Sequence, residues 1–89
     1  MPAFDPFFLT SNQLAAGRIR LHARQMLELQ AIEVSTRSAL LEEFEDVERI
    51  RENSARLLDR LEAGAMRDGC ETTFLSTVAR VRAELLDQA

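Results

Sequence analysis

Between Gly17 and Gly64 the chain holds neither glycine nor proline, so nothing in that span forces the backbone out of a helix. Such a run folds either as one rod of about 50 residues, some 75 Å long at 1.5 Å per residue, or as two helices. The weakest point is "STRS", Ser35 to Ser38, where short polar side chains compete for backbone hydrogen bonds and can restart a helix. The stretch from about Ser38 to Ala63 has the cleaner pattern. Leu40, Phe44, Val47, Leu58, Leu61 and Ala65 follow alternating steps of three and four, with Arg51 and Ser54 in the two intervening positions. Ile50 and Leu57 flank that stripe, and Glu42, Glu45, Glu48, Arg49, Glu52, Arg56 and Arg60 form the opposite, solvated face.

"GAMRDGCET", Gly64 to Thr72, reads as a turn, with Asp68 and Glu71 spaced as a capping box for a last helix. In that helix Phe74, Val78, Val81 and Leu85 form a seam widened by Leu75, Ala79 and Leu86. At the other end, Thr10 and Gln13 are also spaced as a capping box, with Ser11 and Asn12 as competing caps. Pro2 and Pro6 disfavour helix in the residues before them, so residues 1–9 are expected to form an extended arm. Its Phe4, Phe7 and Phe8 are three of the five phenylalanines in the chain. The expected fold is all-α. It is a single helical domain over residues 10–89: a bundle of two long helices, or one continuous rod, plus a shorter C-terminal helix.

The first helix is apolar twice over. At about 100° per residue, Ala16, Ile19, Ala23, Met26, Leu27 and Val34 occupy one side, while Leu14, Leu21, Leu29 and Ile32 gather on nearly the opposite side. One broad apolar face suffices for a small three-helix monomer. Each Leu or Ile left in water forgoes roughly 1.5–3 kcal/mol. Four of them amount to about 6–12 kcal/mol, comparable to the whole stability of a small domain. This predicts self-association, a dimer or higher, with Leu14, Leu21, Leu29 and Ile32 at the surface between copies. The arm of Phe4, Phe7 and Phe8 is expected to clamp that surface, either from its own subunit or onto a neighbour or outside partner.

Reactive chemistry is scarce. His22 is the only histidine, and the position three residues before it, where a carboxylate-bridged di-metal site places Glu, is Ile19. No second titrating base stands ready to activate Cys70 or a serine. In "EEFEDVE", Glu42 to Glu48, five carboxylates are interrupted at helical spacing by Phe44 and Val47, unlike the alternate ligands of a hard-cation loop. Arg18, Arg20 and Arg24 straddle the helix and do not form one phosphate-facing patch. No metal, no cofactor and no catalytic residue is expected. A net charge of −4 repels nucleic acid. The single cysteine favours a reducing compartment, the apolar runs are too short for a signal peptide or a membrane span, and all eleven basic residues are arginine, as in a GC-rich genome. Together these features suggest the cytoplasm of a bacterium.

A long helix, a shorter one and a glycine-containing turn into a last helix resemble the architecture of the all-helical chorismate mutases. That resemblance implies an intertwined dimer, while the lysine and arginine arrangement that clamps substrate in that family is not reproduced. Residues Phe7 to Leu61, centred on "LAAGRIRLHARQMLELQAIEVSTRSALLEEF", are similar to the Ala-, Leu-, Gln- and Glu-rich amphipathic helices of phasins. This second likeness implies a coat on an apolar granule or membrane surface. The function expected from the residues themselves is a non-catalytic interaction or adaptor module, homo-oligomeric, with the coat protein as the alternative and a small all-helical enzyme of chorismate-mutase-like architecture, without its catalytic pattern, as a third reading.

Overall fold

A computed structural model of the chain describes residues 6–42 and 46–87, with side chains from residue 14 onward. The protein is all-α. Helix α1 spans Pro6–Leu40, α2 Val47–Asp68 and α3 Thr72–Leu86, and each helix packs on the other two. Three cross-links fix their directions. Thr36 meets Ser54 at 2.7 Å, and Gln25 Nε2 donates to the Gly69 carbonyl at 3.2 Å, so α2 runs antiparallel to α1. Arg37 Nη2 donates to Glu84 Oε2 at 3.1 Å, which sets α3 parallel to α1. The core lies on one side of α1, where Leu29 meets Leu58, Ala65, Phe74, Val78, Val81 and Leu85.

The break between long helices falls later than "STRS". The backbone is helical through Ser35 to Ser38, because Thr36 spends its hydroxyl across the interface on Ser54 and both residues are buried. Helix α1 ends instead by tightening: Leu41 N–H donates to Ser38 O and Glu42 N–H to Ala39 O, bonds of the i→i+3 kind. Helix α2 restarts at Asp46, whose carboxylate accepts from Glu48 N at 3.1 Å and Arg49 N at 3.3 Å, as an N-cap does.

Other boundaries also move. Residues 6–9 are helical, not extended. Proline restricts the residue before it but suits the first helical position, where its missing N–H is no loss. Thr10 and Gln13 therefore lie inside α1, four residues past its start. Gly64 sits within α2, which runs on to Asp68. Gly69, with φ of 90°, is the residue that stops it, so the turn is confined to Gly69–Glu71. Glu71 caps α3 by position without a side-chain bond to its backbone. The seam of α3 is as its spacing predicts: Phe74, Val78, Val81 and Leu85 are all buried. In α2, Ser54, Leu58 and Ala65 are buried, while Val47, at the stripe's beginning, remains exposed.

Candidate interaction surface

The Gln25–Gly69 bond places the α2–α3 turn level with the middle of α1. Everything N-terminal of about Leu21 therefore projects past the other two helices. From Pro6 to Arg20 this overhang is about 22 Å long. Of its described side chains, Ala16 alone is half-buried and the others, Leu14 to Arg20, are exposed. The molecule is accordingly long and thin, 68 × 18 × 16 Å.

Below the overhang, α1 presents two sides of different fate. The inner side carries Leu21, Gln25, Leu29, Ile32 and Thr36 against α2 and α3; Gln25 is 4% and Leu29 1% exposed. The outer side carries Ala16, Ile19, Ala23, Leu27 and Val34, continued by Leu41 just beyond the helix end. Ile19 is 70%, Leu27 64% and Val34 63% exposed. Three large aliphatic side chains face solvent on this side between residues 19 and 34, with Ala23 and Gln30 between them.

The residues assigned from sequence to the surface between copies are thus divided. Leu29 is inside the chain's own core. Leu21 and Ile32 are half-buried and line a groove of about 580 Å³ between α1 and α2. Leu14 is exposed on the overhang. Phe4 and the side chains of Phe7 and Phe8 lie outside the described residues. Of the residues on the other side, Met26 packs against the core, while Ile19, Leu27 and Val34 are exposed. The clue lay in α2: its stripe includes Ser54, which when buried needs a polar partner, and Thr36 offers one on the Leu29 side of α1.

Polar groups cluster at the base of the overhang. A cavity of about 400 Å³ between α1 and the α2–α3 turn is lined by Arg18, His22, Gln25, Asp68, Cys70 and Glu71, among others. His22 Nδ1 and Gln25 Oε1 are buried there without a protein partner, in a space large enough to admit water. Sequence spacing did not foretell that His22 and Cys70 would share a cavity. Its wall carries both charge signs. Among the described residues, no group of three or more His, Cys, Asp or Glu is placed to hold a metal ion.

Charge is distributed along the long axis. Residues 6–27 hold Arg18, Arg20 and Arg24 and no carboxylate; residues 42–48, at the opposite end, hold five carboxylates and no base. Among the described residues the ion pairs involve other arginines. Arg82 bridges Asp59 at 2.8 Å and Glu62 at 3.4 Å, and Arg37 bridges Glu84 at 3.1 Å and Glu33 at 3.6 Å. None reaches Arg18, Arg20 or Arg24. The described helices include none long and apolar enough to cross a membrane. No protein-family model, curated protein or solved structure matches the chain.

Proposed function

We propose that this chain is a non-catalytic helical interaction module that acts as a homo-oligomer in the bacterial cytoplasm, with the outer side of α1 as its binding surface. The observation that carries this reading is the solvent-facing line of Ile19, Leu27 and Val34 on a helix whose other side packs on α2 and α3. Single exposed leucines are ordinary, but several large aliphatic side chains on one side of a helix mark a contact surface. Light scattering across a concentration series tests it. The expected result is a mass above one chain that falls to one chain in Leu27→Glu and Val34→Glu, with helicity unchanged because neither side chain supports the core. A single-chain mass for the unaltered protein at every concentration would refute self-association.

The second reading is a coat on an apolar or anionic surface. It rests on Arg20 and Arg24, which flank the same line and suit an amphipathic helix lying in a lipid interface. Co-sedimentation with vesicles rich in anionic lipid, lost in the Leu27→Glu variant, would favour it over pairing.

A further inference from the structure

The geometry points to an antiparallel pairing of α1 with α1 of a second copy, in a register set by laying the exposed line from Ala16 to Leu41 upon itself. This rests on the homo-oligomeric reading above and specifies its contact. Three observations converge. The first is the size alternation. In that register Ala16 lies opposite the partner's Leu41 and Ala23 opposite the partner's Val34, so these two large side chains each meet a small one, as close helix packing favours. Leu27 and Gln30 of the two copies meet around the twofold axis, near residue 28.

The second is charge. A parallel pair sets Arg20 and Arg24 beside their own copies, and Glu42, just past the end of α1, beside its own. An antiparallel pair does the opposite. Arg20, on the flank of the exposed line, comes level with residue 37 of the second copy, about 8 Å along the axis from the partner's Glu42. That lies within the Debye length of about 10 Å at 0.1 M salt. Within one chain the two charged ends are too far apart to neutralise each other. One like-charged pair, Arg20 against the partner's Arg37, remains in the seam; Arg37 is already engaged by Glu33 and Glu84 of its own chain.

The third is the overhang. Projecting past its own bundle, the N-terminal part of α1 has no covering helix in its own chain, and in the antiparallel pair its residues 16–20 lie beside residues 37–41 of the other copy. The contact is narrow. A line about 37 Å long and one helix diameter wide, about 10 Å, covers roughly 370 Å² per copy, under half of the area typical of a stable complex. Association is therefore concentration-dependent.

Spin-label distances decide the orientation. In a Cys70→Ala background, Ala16→Cys and Leu41→Cys are labelled separately and measured at a concentration where light scattering shows a dimer. The expected inter-label separation is about 38 Å at both positions, since each lies about 12 residues from the axis; a label on Gln30→Cys gives a short one. Short separations at both 16 and 41 mean a parallel pair, and one short with one long means a different register; either overturns the pairing. A dimer that survives both Leu27→Glu and Val34→Glu places the contact elsewhere, which also overturns it but leaves self-association standing. A monomer at every concentration removes the homo-oligomeric reading itself.

Discussion

Thr36 and Ser54 share a buried hydroxyl–hydroxyl bond of 2.7 Å in a core that is otherwise aliphatic and aromatic. Losing one partner leaves the other dry and unpaired, at a cost of about 1–3 kcal/mol, whereas losing both is far less harmful. Thr36→Val or Ser54→Ala alone is expected to lower the unfolding free energy read from urea melts by that amount, and the double variant to lose clearly less than the sum. The glycines give opposite signs. Gly69 holds φ at 90° in a region costly to residues with a Cβ, so Gly69→Ala is expected to destabilise by about 1–3 kcal/mol. An added methyl at helical Gly64 meets only the Arg67 side chain at 3.7 Å, an ordinary contact, so Gly64→Ala is expected to stabilise by about 0.5–1 kcal/mol. Thermal melts of the two variants check both.

The three helices differ in how far their residues foretell them. The α3 seam was fully legible because Phe74, Val78, Val81 and Leu85 lie on one face with no competing face. The end of α1 was not, because the cue at Ser35 to Ser38 and the true stop after Leu40 look alike until tertiary structure commits the Thr36 hydroxyl. Asp46, the real cap of α2, was hidden among carboxylates that read as a solvated face. For α1 the existence of two apolar sides was legible, but which one the chain covers was not: aliphatic content is similar on both, and only the position of Ser54 opposite Thr36 separates them. A matched pair of variants tests the assignment. Leu29→Ala is expected to cost about 2–5 kcal/mol by opening a cavity. In dilute solution Leu27→Ala, one helical side away, is expected to stay within about 0.5 kcal/mol.

At the scale of the whole molecule, the separation of charge along the long axis matters more than the net value of −4. A basic overhang and an acidic far corner give two copies an orientation to prefer before they touch. Raising the salt concentration is expected to weaken association, as read by sedimentation equilibrium, because exposed charges are screened. A parallel pair would respond in the opposite sense, since screening relieves its repulsion. Glu42→Arg is expected to weaken the antiparallel pair without altering the fold, since Glu42 is exposed just past the end of α1.

The overhang also sets a clock. Its peptide amides borrow no shelter from α2 or α3, so they exchange with solvent hydrogen at the pace of an isolated, fraying helix, while those around Leu29 open only when the whole domain does. If a second copy lies along α1, that contrast shrinks as protein concentration rises, and deuterium uptake at residues 14–20 becomes a gauge of assembly in a chain that carries no tryptophan or tyrosine to report it.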